Sequence, residues 1–185
     1  MTGELRVLLV SGSLRSGSTN TALLRTAQLI APEGITAVFY GGVGGLPHFD
    51  PDRDHEPLPA PVAEMREEVH AADAILFCTP EYAGALPGSF KNLLDWMIGD
   101  GHPRSLCDKP AAWINVSTSP TLAAGAHDSL AKVLGYAHAA VAAGACLSVP
   151  VPRREVGDDG LISDPTIRAS IQDALFTLVK HIRCN

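Results

Sequence analysis

The sequence predicts a three-layer α/β fold in which a five-stranded parallel sheet is doubly wound, with helices on both faces. Two observations carry this. Short apolar runs alternate with longer stretches of helical period five times along 185 residues. The runs are mostly apolar and rich in β-branched residues, as suits strands buried on both faces. The connections are compatible with right-handed crossovers, and the length suits one domain, residues 1–185.

The elements follow in order. LRVLLV (Leu5 to Val10) is the first strand. Leu23, Ala27 and Ile30 mark one face of a first helix, which Pro32 and Gly34 end. ITAVFY (Ile35 to Tyr40) is a second strand, and Gly41 to Pro61, rich in Gly, Pro, Asp and His, reads as a long surface loop. Val62, Met65 and Val69 share a face of a helix over Val62 to Asp73, and AILFCT (Ala74 to Thr79) is the third strand. Phe90, Leu93, Leu94 and Met97 fall on one helical face, with Lys91 and Asp95 turned outward. AAWINV (Ala111 to Val116) is the fourth strand. Leu130, Val133, Leu134, Ala137 and Val141 predict a long helix ending near Gly144, and ACLSV is the fifth strand. A polar loop leads to a terminal helix carrying Ile171, Leu175, Leu178 and Ile182.

A net charge of −6 and scattered Lys and Arg argue against a nucleic-acid partner. The apolar run near the N-terminus is far short of the roughly 20 residues that span a bilayer, so the expectation is a cytoplasmic protein with no membrane partner. Cys78, Cys107, Cys146 and Cys184 form no C-x-x-C pair and read as structural thiols. The seven histidines lack H-x-x-x-H or H-E-x-x-H spacing, so no metal site is expected and they read as surface or satisfied polar residues. G-x-S-x-G is absent around Ser13, which argues against a hydrolase.

In a doubly wound sheet, ligands lie outside the carboxyl ends of the strands where the strand order reverses; in the flavodoxin-like order that point is between strands one and three. The loop after strand one, SGSLRSGSTN, offers Ser13, Arg15, Ser18, Thr19 and Asn20 as donors beside a helix N-terminus, which suits a phosphate. A Ser-rich helix cap is the plainer alternative. Neither GxxxxGK[ST] nor G-x-G-x-x-G is present, so a single terminal phosphate, as in the mononucleotide FMN, fits better than an NTP or a dinucleotide.

The loop after strand three, PEYAGALPGSFKNLLDW, presents Pro80 and Tyr82 as rigid apolar surface and the amides of Glu81 to Gly84 as donors for a flat ligand. In the plainer reading Pro80 ends a strand, Pro87 starts a helix and Tyr82 packs in the core.

Together, GSLRSGSTN and PEYAGALPGSFKNLLDW resemble the loops of the NADPH-dependent FMN reductase family, typically G-S-x-R-x-x-S-x-N and P-E-Y-N-x-x-x-P-G-x-L-K-N-x-x-D-W. The resemblance implies that Ser13, Arg15, Ser18, Thr19 and Asn20 surround the FMN phosphate. It further implies that Pro80, Glu81, Tyr82, Ala83 and Gly84 border the isoalloxazine ring, with Ser117 as a third contact region. Ala83 stands where many relatives have Asn, and Ala124-Gly125 where the family often has Gly-Gly. The implied function is an FMN-dependent NAD(P)H oxidoreductase. Hydride passes from NADPH or NADH to FMN and on to a small acceptor (quinone, flavin, azo compound or metal oxyanion) by a ping-pong mechanism, with no catalytic side chain required. The alternative is a flavodoxin-like electron carrier that does not oxidise NAD(P)H. The resemblance also implies a homodimer or homotetramer, for which the loop Gly41 to Pro61 and the helix carrying Trp96 are candidate interface parts. Arg53, Arg104 and Arg153 are candidate readers of the NADPH 2′-phosphate.

Overall fold

A computed structural model describes residues 4–184, with side chains through Ile182. The strands are β1 (Leu5–Ser11), β2 (Ile35–Tyr40), β3 (Ala74–Cys78), β4 (Pro110–Asn115), β5 (Ala140–Val141) and β6 (Leu147–Ser148). The helices are α1 (Thr19–Leu29), α2 (Ala60–Ala71), α3 (Gly88–Ile98), α4 (Ala124–Tyr136) and α5 (Pro165–Cys184). All strand pairs are parallel, in the order β2-β1-β3-β4-β5 with β6 also on β4, which is the flavodoxin-like order.

Alternation along β1 divides the core in two. Val7 and Leu9 face α1 and α5, together with Leu23, Leu76, Leu175 and Leu178. Leu8 and Val10 face α2, α3 and α4, together with Met65, Phe77, Leu93 and Leu134. Each face of the sheet is thereby sealed, as the largely apolar runs require.

Four expectations are corrected. First, α4 stops at Tyr136. His138 takes a left-handed φ of 54°, its N–H donates to the Gly135 carbonyl and that of Ala139 to the Leu134 carbonyl. This is a Schellman stop with histidine in the position that glycine usually fills.

Second, the fifth strand is broken in two. β5 pairs at Pro110 and Ala111, β6 at Ile114 and Asn115, and a turn at Ala143–Ala145 lies between them. The small residues of that turn admit α5; a Cβ on Gly144 would lie 3.3 Å from Thr177 Cγ2.

Third, the segment from Gly41 to Pro61 is tethered to the body. Val43 and Leu46 are buried, and Asn92 accepts from the Phe49 N–H and donates to the Pro47 carbonyl. Helix α2 begins within its last residues, at Ala60. Trp96, a candidate interface residue, is fully buried, with its indole N–H on Pro47 and Phe49 edge-on to its ring.

Fourth, the thiols and histidines are not uniform. Cys78 is buried and Cys146 half-buried, and burial pushes both thiols up in pKa, whereas Cys107 is exposed. The thiol of Cys184 lies outside the described residues. His127 is buried with Nδ1 against the Ala123 carbonyl and Nε2 unpartnered, so it is not a satisfied histidine. No helix among the described residues is long and apolar enough to cross a membrane.

The amino ends of β1, β3 and β4 carry a charged cluster. Asp73 accepts from the Arg6 N–H and pairs with Arg104, which also donates to the His70 carbonyl. Lys109 is buried there with Nζ 2.6 Å from the Ala72 carbonyl. Burial first, and Arg104 second, push its pKa down to about 8. The unfolded chain therefore holds the Lys109 proton above pH 8 while the folded chain releases it, so this group makes stability rise with pH from about 8 towards the ordinary lysine value. In urea melts across that window, the wild type should gain stability relative to Lys109→Met as pH rises; parallel profiles would contradict the assignment.

Candidate active site

Every strand of the β1–β3 pair ends at one level, because Ser11 lies beside Cys78 in the register. The Gly12 N–H donates to the Cys78 carbonyl at 2.9 Å, and a Cβ on Gly12 would lie 2.6 Å from Thr79 Cβ and overlap its hydroxyl. Glycine is required here for the two exits to touch. Beyond them lies a cleft of about 970 Å³, at the place where the sheet order reverses.

Of the residues expected from sequence, Arg15, Thr19, Asn20, Pro80, Glu81 and Ser117 line this cleft. Ser13 and Ser18 are in the same loop but build it. The Ser13 N–H donates to Ser11 Oγ, whose hydroxyl also meets Thr21 at 2.9 Å, and Ser18 is buried at the position before α1. Asn20 is buried and accepts from Cys78 Sγ, locking α1 to β3.

Ser18 makes no side-chain capping hydrogen bond. The first N–H groups of α1 have no intrahelical acceptor, so they remain as donors at the cleft, with the positive end of the helix dipole behind them. The plainer reading, a serine cap, is therefore not what the geometry realises.

Helix α4 is the contrast. Its first turn also faces the second loop, but Glu81 Oε2 accepts from the Ala126 N–H at 3.1 Å. The side chain of Glu81, a residue that the resemblance sets beside the flavin ring, serves as a cap supplied from outside the helix. A Cβ on Gly125 would overlap the Gly84 carbonyl oxygen and lie 2.9 Å from its carbon, so α4 and the second loop touch backbone to backbone. Only the second glycine of the family's Gly-Gly pair is sterically required; Ala124 is exposed.

Tyr82, Ala83 and Gly84 do not line the cleft; they form an exposed turn at its rim. Tyr82 and Ala85 exchange both backbone hydrogen bonds, at 3.0 and 3.1 Å, so the Tyr82 amide is not available to a ligand. Ala83 and Gly84 have φ of 51° and 73°, the two positive values of a type I′ turn. Asn-Gly is the favoured pair for that turn, so the alanine at 83 bears on backbone strain as well as on a missing polar contact.

Sequence reasoning missed the rest of the third loop. Ser117, Ser119 and Thr121 form a hydroxyl ladder along one wall, with Ser117 Oγ 2.9 Å from Ser119 Oγ. Asn115 fixes that loop from below, accepting from the Ser117 N–H and donating to the Leu122 carbonyl. The spacing of hydroxyls in STSPT was the available signal. Arg153 lines the cleft too, whereas Arg104 is held at the opposite end of the sheet and Arg53 lies exposed in a turn at Pro51–Arg53.

Comparison with known proteins gives the family. The sequence profile of the family described as "NADPH-dependent FMN reductase" matches residues 5–151. The chain is 38% identical over 117 residues to an "NAD(P)H-dependent FMN reductase" of Pseudomonas aeruginosa, a match covering 63% of this chain and 62%, just under two thirds, of that protein. It is 33% identical over 178 residues to "Probable NADPH:quinone oxidoreductase 2" of Oryza sativa, covering 94% of this chain and 87% of that one. Among solved structures, a flavoenzyme described as an NAD(P)H:(acceptor) oxidoreductase from Paracoccus denitrificans superposes with a TM-score of 0.76 at 26% identity, covering 96% of this chain and 98% of that one. The chain belongs to the NADPH-dependent FMN reductase family, whose members are oxidoreductases that use FMN and NAD(P)H.

Three substitutions test the reading of the second loop and of its contact with α4. Ala83→Asn should stabilise the fold by up to about 1 kcal/mol, since the left-handed conformation disfavours alanine. In a thermal melt this is a rise of about 2–4 °C for a chain of this size. An unchanged or lower Tm would mean that residue 83 is not strained. Gly125→Ala should destabilise by about 1–3 kcal/mol through backbone overlap, while Ala124→Gly should cost no more than about 1 kcal/mol. Equal effects at both positions would contradict the backbone contact.

Proposed function

We propose that this chain binds FMN in the cleft above β1 and β3 and reduces a small acceptor of the quinone class at the expense of NAD(P)H. The observation that carries the reading is the uncapped N-terminus of α1, flanked by Arg15 and opening on a wall that begins with Pro80. A phosphate monoester matches the first, and a flat ring beside it matches the second.

The chemistry supplied by bound FMN is two-electron transfer, with hydride taken from the nicotinamide and electrons handed on to the acceptor. The chain's own residues position. Arg15, Thr19 and Asn20 would hold the phosphate end, Pro80 would limit the ring on one side, and the Ser117 to Thr121 ladder would offer hydroxyls on the other. Glu81 is engaged on α4, so it keeps the second loop in place and is not required as an acid or base.

A single cleft serving both donor and acceptor implies that they bind in turn, which is ping-pong behaviour. Leu14, Tyr82 and Leu122 expose apolar surface on the three loops around the cleft, which supports association of copies into a homodimer or homotetramer covering this rim.

The test is to reconstitute purified protein with FMN, add NADPH anaerobically and follow flavin absorbance, then admit benzoquinone. Bleaching by NADPH and recovery on quinone, with parallel double-reciprocal lines in the steady state, is the expected outcome. Bound flavin that NADPH leaves oxidised would point to an electron carrier, and intersecting lines would overturn the ping-pong order.

A further inference from the structure

The cleft is lined by two guanidiniums, and only Arg15 belongs to the first loop. Arg153 reaches it from the other end of the chain. After β6 the backbone continues to pair beside β4, with the Val149 N–H on the Asn115 carbonyl and the Val151 N–H on the Val116 carbonyl. Pro152 then opens a tight turn over Arg153–Glu155, which carries Arg153 across to the first loop. Its Nη1 donates to the Gly17 carbonyl, and its Nη2 lies 2.9 Å from the place a Cβ on Gly17 would occupy.

The segment is fastened further on, where the Ile162 N–H donates to the buried Thr26 hydroxyl of α1 at 2.9 Å. The helix whose N-terminus faces the cleft therefore also anchors the segment that brings Arg153 there.

Charge completes the argument. Among the described residues neither Arg15 nor Arg153, the two guanidiniums at the cleft, has a carboxylate within ion-pair distance, a state they share with Arg25, Arg53 and Arg168, whereas Arg6, Arg66, Arg104 and Arg154 are paired. The contact of Arg153 with Gly17 occupies a neutral carbonyl and leaves further N–H donors of the same fork at the cleft wall. A phosphate monoester carries roughly two negative charges at neutral pH, and Arg15 balances one of them.

We infer that Arg153 supplies the second positive charge of the phosphate site, and thereby sets the preference for a phosphorylated over an unphosphorylated flavin. The inference rests on the FMN reading above. Arg153 stands beyond residues 5–151, to which the family profile extends. On this inference Arg153 serves the flavin phosphate and is not a reader of the NADPH 2′-phosphate.

The experiment titrates FMN and riboflavin into wild type, Arg153→Ala, Arg153→Lys and, as a neighbouring control, Arg154→Ala, following flavin fluorescence at two salt concentrations. Arg153→Ala should weaken FMN binding about 10- to 100-fold, the range for loss of a charge-assisted hydrogen bond, while riboflavin affinity changes less than about twofold. Its FMN affinity should also depend less on salt. Arg153→Lys should restore part of the loss, and Arg154→Ala should behave as wild type. Equal weakening of FMN and riboflavin would reduce Arg153 to a structural clamp and overturn the inference. So would unchanged FMN affinity accompanied by a lower NADPH to NADH ratio in kcat/KM. Wild-type protein that binds riboflavin but shows no preference for FMN would overturn this inference alone, whereas wild-type protein that binds neither would remove the FMN reading beneath it.

Discussion

The close approach of β1 and β3 at their carboxyl ends is the constraint on which the site depends. Ser11 beside Cys78, and Gly12 against Thr79, bring two loops out of the sheet at one height and within contact. From there the chain departs in opposite directions, through α1 to β2 on one side and through α3 to β4 on the other. A cleft between two diverging loops follows from that topology. Any side chain at residue 12 would push the exits apart, which places the demand on glycine at a point where no helix or strand propensity would ask for it.

Two helix N-termini face this region, and they are treated differently. The first turn of α4 receives Glu81 from the second loop, and that bond, with the contact of Gly125 on Gly84, fixes the second loop against the third. The first turn of α1 receives no serine cap, while guanidiniums gather beside it. One terminus is spent on structure; the other is left without a side-chain cap, as the proposed anion site requires. The opposite end of the sheet, with Lys109, Arg104 and Asp73, closes on itself through its own ion pair and backbone bonds.

Most of the fold was legible because the early strands are mostly apolar and helices such as α3 are strongly periodic. LRVLLV and AILFC admit little but buried strand, and Phe90, Leu93, Leu94 and Met97 are all buried as their spacing implies. The region from Ala137 to Val149 was not legible for a physical reason. Its alanines, valines and glycine satisfy a helical and a strand pattern equally, and the stop at His138 uses a left-handed histidine where sequence rules look for glycine. The site was legible in part. Arg15, Thr19, Asn20, Pro80, Glu81 and Ser117 come together because they lie next to strand ends, which sequence locates well. The side-chain role of Glu81 depends on a partner 45 residues away, and the contact of Arg153 with Gly17 on one 136 residues away. Contacts of that separation leave no local pattern.

The central claim is that the first-loop donors of α1, the second loop and the third loop bind one flavin mononucleotide together. Hydrogen–deuterium exchange, read peptide by peptide with and without FMN, tests it most directly. The account predicts slowed exchange over residues 12–20, 80–84 and 117–123 together, with little change around residues 100–110 at the far end of the sheet. Protection that leaves residues 12–20 untouched, or that appears chiefly at the far end, would contradict it.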